Sequence, residues 1–201
     1  MKKYIKWIVL AILVAIFAVI TYEVVNGKTA SFDKSVYDAI TKFSNPALDN
    51  TYKIITFFGS TVGIVALCVI TLIIMKNKKH AFWIIGGTAG VTILNNIIKF
   101  SVRRARPAEP LFKKLVEEKS YSFPSGHTMG SIGFYGMVMF FIIRSNLSKK
   151  MKIIYSTLLT ILMIAIMVSR LYLAAHFATD VLAGAVAAVA FLIAFTHFIK
   201  K

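Results

Sequence analysis

Six long apolar blocks, separated by short charged segments, make up most of this chain. They lie at residues 5–25, 54–75, 81–100, 128–143, 153–168 and 181–198. A helix needs roughly 17–25 apolar residues to span a bilayer, and flanking basic side chains that reach the interface extend the shorter blocks. Hydrophobic residues make up 58% of the 201-residue chain, more than is usual in soluble domains. The sequence therefore predicts an all-α polytopic membrane protein, a bundle of six transmembrane helices in a single membrane-embedded domain over residues 1–201.

The first long connection, at residues 30–48, carries a helical pattern of its own. Apolar residues recur there at helical spacing between charged ones. Ser31 is a candidate N-cap, and Pro46 is expected to end the helix. The pattern predicts an amphipathic helix lying on the outer membrane surface, with either an anchoring role or a role as a lid or lipid guide.

The net charge of +16 raises the question of nucleic-acid binding, but the distribution of charge favours a membrane topology signal. The basic residues divide evenly between the two sides of the predicted bundle, and those on one side are concentrated in short loops and tails. Together with the basic start at Met1-Lys2-Lys3, this density places the N- and C-termini in the cytoplasm. The first block is longer than a usual signal core, so we expect an uncleaved anchor. We expect contacts with the lipid bilayer and none with nucleic acid; the oligomeric state stays open.

Three polar patches interrupt the apolar pattern, and charged groups beside membrane helices are functional-site candidates. The patches are Lys99 with Arg106-Pro107, then Pro124-Ser125-Gly126-His127, then Ser169-Arg170 with His176 and Asp180. When the six spans alternate from a cytoplasmic start, every patch falls at the outer end of a helix. Helices three to six need only pack side by side for these groups to meet at the outer face.

The residue types in these patches suit phosphate chemistry. Phosphoryl transfer depends mainly on positioning and on neutralising charge on the phosphate oxygens, which Lys99, Arg106 and Arg170 can do. Ser125 and Gly126 precede a predicted helix, where backbone N–H groups form an anion cradle. The patches therefore predict a phosphate-binding site.

The histidines and the aspartate supply the reacting groups of that site. His176 and Asp180 are four residues apart, so they share one face if the segment is helical. A carboxylate at one imidazole nitrogen fixes the tautomer and leaves the other nitrogen free to attack phosphorus. His127 is the candidate general acid. The predicted route passes through a phosphohistidine and needs no metal or cofactor; Cys68 is the single cysteine, and no thiol metal site is expected.

These motifs resemble the signature of the type 2 phosphatidic acid phosphatase superfamily. The family pattern is Lys-x6-Arg-Pro, Pro-Ser-Gly-His and Ser-Arg-x5-His-x3-Asp, and it is matched here from Lys99 to Asp180 without departure. The resemblance implies a metal-independent phosphatase with His176 as nucleophile, Asp180 as its orienting carboxylate and His127 as acid. It also implies phosphate binding by Lys99, Arg106, Ser125, Gly126, His127 and Arg170.

The resemblance further implies a lipid phosphate substrate, which composition alone does not indicate. Bacterial membrane members act on phosphatidylglycerol phosphate, undecaprenyl pyrophosphate or phosphatidic acid, and the motifs do not choose among them. Two other functions are compatible with the sequence. One is a phosphotransferase that passes the phosphoryl group to a lipid acceptor, and the other is a lipid transporter or scramblase with a vestigial site.

Overall fold

The structure, a computed structural model, describes residues 2–199 as a bundle of helices. Within this range the elements are α1 (Lys2–Val25), α2 (Ala30–Thr41), α3 (Pro46–Phe57), α4 (Thr61–Ile74), α5 (Lys78–Val102), α6 (Gly126–Arg144), α7 (Lys149–Tyr172), α8 (Ala178–Phe195) and a 3₁₀ turn (Thr196–Phe198). Met1, Lys200, Lys201 and the side chains of Lys2 and Lys3 lie outside the described residues, and the predicted cytoplasmic placement of the two termini falls partly on them.

Five of the helices, α1, α5, α6, α7 and α8, are long and apolar enough to cross a membrane. The sixth predicted span, at 54–75, is broken: α3 and α4 meet at a bend of 47°. Helix α4 begins as a new helix after Ser60, because the Ser60 Oγ accepts a hydrogen bond from the Gly63 N–H at 3.0 Å and so acts as an N-cap. The predicted multi-pass all-α bundle is confirmed, with five spans among the described residues, or six if the bent pair of α3 and α4 crosses as one.

A helix is present within the predicted range 30–48, but it is shorter, and both of its predicted ends were wrong. It runs over α2 only, with Thr29 at the N-cap position instead of Ser31. Pro46 does not end it; Pro46 is the first residue of α3, and Asn45 caps that helix by accepting the Leu48 N–H at 3.0 Å. Proline is as well suited to the first turn of a helix as to the segment after one, so the sequence signal was ambiguous.

Helix α6 lies at the centre of the bundle and packs against α4, α5, α7 and α8. Its side chains Met129 and Met137 are fully buried. A Cβ on Gly133 would lie 3.2 Å from the Val91 Cβ of α5, so glycine is what lets these two helices approach. Between helices in lipid, close packing replaces the hydrophobic effect as the main source of stability, and small residues on α6 provide that packing.

Helix α1 is peripheral and packs mainly on α8. Its apolar side chains are largely uncovered by protein; Ile12 is 53% exposed and Val19 is 62% exposed. Such an apolar surface requires lipid around it. The bundle core therefore consists of α4 to α8, which carry the predicted site at one end.

Candidate active site at one end of the bundle

Four helix ends meet at one end of the bundle: the C-terminal ends of α5 and α7 and the N-terminal ends of α6 and α8. The Ser125 N–H donates to the Asp180 carbonyl at 3.0 Å, and the Asn95 amide donates to the Pro124 carbonyl at 3.1 Å. A Cβ on Gly184 would lie 3.1 Å from the Ser125 carbonyl oxygen, so α8 approaches this turn through a glycine. These contacts bring the three predicted polar patches together, as the alternation of spans predicts.

The turn before α6 is fixed by Ser125, which is the N-cap of the helix. Its buried Oγ accepts from the Thr128 N–H at 3.4 Å and lies 3.0 Å from the Thr128 hydroxyl. The backbone N–H groups of Gly126 and His127 have no hydrogen-bond acceptor among residues 2–199, and both residues line a cavity. Free N–H groups at a helix N-terminus favour an anion. Gly126 and His127 therefore offer two N–H groups in the position of the predicted cradle, while Ser125 shapes the turn.

The turn between α7 and α8 explains the spacing between Arg170 and His176. After α7 ends, Ala174 adopts a left-handed conformation with φ of +52°. The chain then folds back, so that the Ala175 and His176 N–H groups both donate to the Arg170 carbonyl, at 3.1 and 3.2 Å. This closure places the imidazole directly above the end of α7. His176 precedes α8 and is not helical, so the helical face that the sequence suggested is not how the pair forms.

His176 and Asp180 nevertheless lie together, because the Asp180 carboxylate turns back over the start of α8. Its Oδ2 accepts the Phe177 N–H at 3.0 Å, which caps the helix. The same oxygen lies 3.4 Å from His176 Nδ1 and accepts the Ser122 hydroxyl. The carboxylate thus serves as a helix cap and as the partner of the imidazole, and both the imidazole and the carboxylate are buried.

Arg106 determines the state of the other imidazole nitrogen. Its Nη1 lies 3.2 Å from His176 Nε2 and donates to the Ala175 carbonyl at 2.6 Å. A guanidinium can only donate, so Nε2 must be the acceptor and the proton sits on Nδ1, facing Asp180. Burial, reinforced by the charges of Arg170 and Arg106 and opposed by Asp180, lowers the pKa of His176 to about 4. The imidazole is therefore neutral near pH 7, with its Nε2 lone pair directed at Arg106.

The remaining predicted cation, Lys99, is buried at the end of α5 and points into the same region. Its Nζ donates to the carbonyl of Tyr121 and lies 3.5 Å from that of Ser122. A cavity of about 690 Å³ begins at this polar end, where Lys99, Arg106 and the two histidines line it. From there it continues as an apolar groove between α4 and α5. Residues that line the groove include Val65, Cys68, Val69, Leu72, Ile85, Ala89 and Ile93.

A carboxylate that the sequence did not single out lies in the middle of the cations. Glu118, on the loop between α5 and α6, forms an ion pair with Arg170. Its other neighbours are Arg106 Nη2 at 3.9 Å and His127 Nδ1 at 4.0 Å. The side chain of Glu118 is 26% exposed, whereas that of Arg170 is 1% exposed. Glu118 therefore places two negative oxygens among three of the groups that were predicted to bind phosphate.

Arg170 itself is only partly satisfied. Its Nη1 donates to Thr56 Oγ1 at 2.6 Å, but its buried Nε has no partner among the described residues. A buried guanidinium N–H without an acceptor is costly. Arg170 is paired with Glu118, which lines the cavity, and a phosphate oxygen that bound to Arg170 would supply the missing acceptor. The residues at hand thus fit a phosphate group.

Sequence reasoning missed three residues of this site: Arg104, Glu118 and Ser122. Arg104 pairs with Asp180 Oδ1 at 2.6 Å and with Asp33 Oδ2 of α2 at 2.7 Å. All three residues belong to the irregular segment between α5 and α6, where no periodic pattern assigns a direction to a side chain. The signal available in the sequence was the high charge of this segment, which does not assign a role to any single residue.

Known proteins resemble this chain in both sequence and structure. The family model of the PAP2 superfamily matches residues 80–201. Phosphatidylglycerophosphatase B of Bacillus subtilis is 28% identical over 173 residues, which cover 84% of this chain and 83% of that protein. The crystal structure of a transmembrane PAP2-type phosphatidylglycerolphosphate phosphatase from Bacillus subtilis superposes with a TM-score of 0.85 at 25% identity, covering 96% of this chain and 98% of that one.

A more distant likeness concerns the fold alone. The crystal structure of Aquifex aeolicus LpxE superposes with a TM-score of 0.64 at 22% identity, covering 81% of this chain and 93% of that one. The helix arrangement around the site is therefore shared by solved proteins of two organisms.

Proposed function

This chain belongs to the PAP2 superfamily and is a membrane lipid phosphatase, and from that premise we propose that it hydrolyses lipid phosphates or pyrophosphates through a phosphohistidine at the outer membrane face. The observation that carries the proposal is the 690 Å³ cavity, which joins a cationic end containing both histidines to an apolar groove. A phosphate fits the first part and a lipid tail the second. Candidate substrates are phosphatidylglycerol phosphate, undecaprenyl pyrophosphate and phosphatidic acid.

In the first step, His176 Nε2 attacks phosphorus, and a P–N bond forms while the bond from phosphorus to the leaving oxygen breaks. That oxygen is the ester oxygen of a lipid monophosphate or the bridging oxygen of a lipid pyrophosphate. His127 donates a proton to the departing oxygen. The positive charge that develops on the imidazole is stabilised by Asp180, which lies 3.4 Å from Nδ1. Lys99, Arg106 and Arg170 balance the negative charge on the phosphoryl oxygens, and the substrate phosphate takes the place of the Glu118 carboxylate.

In the second step, water attacks the phosphohistidine. His127, now neutral, accepts the proton of that water, the P–N bond breaks, and inorganic phosphate leaves. His176 returns to its neutral form with Nδ1–H facing Asp180. Each proton is accounted for by the two histidines, and the charge on phosphate is balanced by the side chains of the protein.

The orientation in the membrane follows from the charge of the opposite end of the bundle. The short loops there carry Lys76, Lys78, Lys79, Arg144, Lys149, Lys150 and Lys152. Basic short loops stay in the cytoplasm, so the site faces outside. In a Cys68→Ala background, an impermeant maleimide should label Glu117→Cys in intact spheroplasts, and Lys150→Cys only after permeabilisation. The reverse pattern would show that the site faces the cytoplasm.

The catalytic proposal is tested with purified protein in detergent and a panel of the three lipid substrates. We expect phosphate release in the presence of a chelator, inhibition by vanadate, and loss of activity in His176→Ala. His80→Ala, a histidine beside Asn77 at the opposite end, is the control and should retain activity. Full activity of His176→Ala would refute the mechanism, and phosphate transferred to an acceptor lipid instead of water would identify a phosphotransferase.

A further inference from the structure

The two oxygens of Asp180 are held by different parts of the protein. Oδ2 faces His176 and accepts the Phe177 N–H and the Ser122 hydroxyl. Oδ1 points away from the imidazole and accepts from Arg104 Nη1 at 2.6 Å. Arg104 therefore restrains the carboxylate without competing for the oxygen that the imidazole needs.

Arg104 is itself held in place from several directions. Its Nη1 donates to Thr179 Oγ1 at 2.8 Å, and its Nη2 donates to Thr29 Oγ1 at 3.1 Å and to Asp33 Oδ2 at 2.7 Å. The ring of Phe177 lies 4.0 Å from the guanidinium carbon, within the range of a cation–π contact. A planar guanidinium held on its edge and its face has little freedom to rotate, so the position of its Nη1 is well defined.

Asp33 connects this arginine to helix α2. It is 1% exposed, and its Oδ1 accepts the Thr179 N–H at 2.9 Å and the Thr179 hydroxyl at 3.0 Å. Thr179 is in the first turn of α8, where a carboxylate is favoured by the helix dipole. Asp33 thus binds both the arginine and the helix that carries Asp180. A helix that only anchored the chain at the surface would not be expected to carry a fully buried carboxylate.

We propose that Asp33 and Arg104 form a positioning pair that orients the catalytic carboxylate Asp180, and that α2 is in this way part of the active site. The inference rests on the proposed role of Asp180 as the partner of the nucleophile His176. Neither residue of the pair touches the reacting phosphate; they act through Asp180. A misplaced catalytic group can cost about 10²-fold in rate even when the substrate still binds.

The pair also has an electrostatic effect. Arg104 places one positive charge between the Asp33 and Asp180 carboxylates, so it weakens the field that Asp180 exerts on His176. The other titratable and charged groups near His176 are Asp180, Arg106, Arg170 and His127, together with Lys99 and Glu118, which line the same cavity. When Arg104 is replaced by a neutral residue, the field of Asp180 is stronger and favours the imidazolium. The pKa of His176 then rises, and the acid limb of kcat/KM moves to higher pH.

The test compares Arg104→Gln, Arg104→Lys and Asp33→Asn with wild type in a phosphate-release assay on phosphatidic acid micelles. Arg104→Gln should lower kcat about 10²-fold with KM changed less than about threefold, and should move the acid limb upward. Arg104→Lys keeps the charge, so its acid limb should stay near that of wild type and part of kcat should return. Asp33→Asn should lower kcat about tenfold alone and have little further effect in the Arg104→Gln background, because coupled residues are not additive.

The matched control is Arg103→Gln, which removes the neighbouring charge. Arg103 is exposed, and its Nε donates to the Phe100 carbonyl at 2.9 Å. The proposal is overturned if Arg104→Gln has the same activity and pH profile as Arg103→Gln. It is also overturned if Arg104→Gln loses activity together with a lowered melting temperature while the acid limb of kcat/KM stays in place. Should Arg104→Gln fail to fold, Asp33→Asn decides, and a wild-type kcat for that variant overturns the pair.

The same assay separates this inference from the proposed function. If wild type releases phosphate, His176→Ala does not, and Arg104→Gln equals Arg103→Gln, the function stands and the positioning pair is wrong. If His176→Ala remains active, the phosphohistidine mechanism is wrong and the pair falls with it.

Discussion

The two sides of the His176 imidazole are built differently. On the Nδ1 side, the Asp180 carboxylate has a protein partner for each oxygen: Arg104 on one, and Ser122 and a backbone N–H on the other. On the Nε2 side, Arg170 keeps a buried N–H without a partner among residues 2–199, and a loop carboxylate, Glu118, takes up the charge. Groups whose hydrogen bonds are all paired are rigid. A cation whose charge is balanced by a displaceable carboxylate can instead bind the phosphate of a substrate.

This contrast assigns separate tasks to the two sides. In the proposed mechanism, the Asp180 side orients the imidazole and accepts the hydrogen bond of Nδ1–H, in agreement with the tautomer that Arg106 requires. The opposite side binds phosphate and balances the charge of the transition state. Substitutions on the first side should therefore reduce kcat, whereas removing the competing carboxylate on the second should chiefly alter KM.

The largest effect is expected for Asp180→Asn. An amide in this position can hold the wrong tautomer of His176 and no longer stabilises the imidazolium, so kcat should fall about 10³–10⁴-fold. The variant is compared with wild type in steady-state phosphate release. Asp38→Asn, an exposed carboxylate of α2 paired with Lys34, is the control and should match wild type. Loss of less than tenfold in Asp180→Asn would mean that the carboxylate is mainly a helix cap.

The next effect is expected for Arg170→Gln. Removing one preorganised donor from a developing charge costs about 10²–10³-fold in rate, and the substitution also leaves Glu118 without its ion-pair partner. Vanadate inhibition should weaken together with turnover, because vanadate imitates the transition state. Arg144→Gln, at the opposite end of the bundle and stacked on Phe140 at 4.8 Å, should leave both unchanged. Normal vanadate inhibition in Arg170→Gln would remove Arg170 from the phosphate site.

How far the sequence predicts these two sides depends on the regularity of the segments that form them. Lys99, His127 and Arg170 lie on helices, and the alternation of the spans is enough to predict that the ends of those helices meet. Arg104 and Glu118 lie in the irregular segment between α5 and α6, and their partners Asp180 and Arg170 are 76 and 52 residues away in sequence. Contacts of that separation leave no periodic trace, so the pairing could be found only in three dimensions.

The helix breaks around the site had a sequence signal that was open to two interpretations. Ser60 caps α4 inside an apolar block, but the block is also long enough for one uninterrupted span. Pro46 suits either the end of one helix or the start of another. In both cases tertiary packing decides: α3 packs against α7, and Thr56 of α3 accepts a hydrogen bond from Arg170.

Arg106→Gln tests the boundary between the two sides, since Arg106 contacts His176 Nε2 at 3.2 Å and lies near Glu118. In wild type, burial and the two arginines keep the pKa of His176 at about 4, so the nucleophile is lost only as the pH falls through that value. Without the Arg106 charge the pKa should rise toward 6.5, by about one unit, because burial persists. The acid limb of kcat/KM should move to higher pH by the same amount. Variant and wild type are measured on the same substrate, so that ionisation of the substrate affects both pH profiles equally. An acid limb that does not move would mean that it reports the ionisation of a group other than His176.

The smallest effect is expected for Glu118→Gln. The direction of the change in KM decides whether substrate phosphate displaces the Glu118 carboxylate on the Nε2 side. If the carboxylate competes with phosphate for Arg170, its neutralisation should lower KM and the vanadate inhibition constant about three- to tenfold, with kcat nearly unchanged, because a free ligand no longer has to displace a bound anion. Glu117→Gln is the matched control, since the side chain of Glu117 is 89% exposed and its one ion pair among the described residues is with Lys114, at 3.7 Å. A raised KM in Glu118→Gln would mean that the carboxylate holds the arginines in place for the substrate. The phosphate side would then be as preorganised as the Asp180 side, and the contrast between the two would fail.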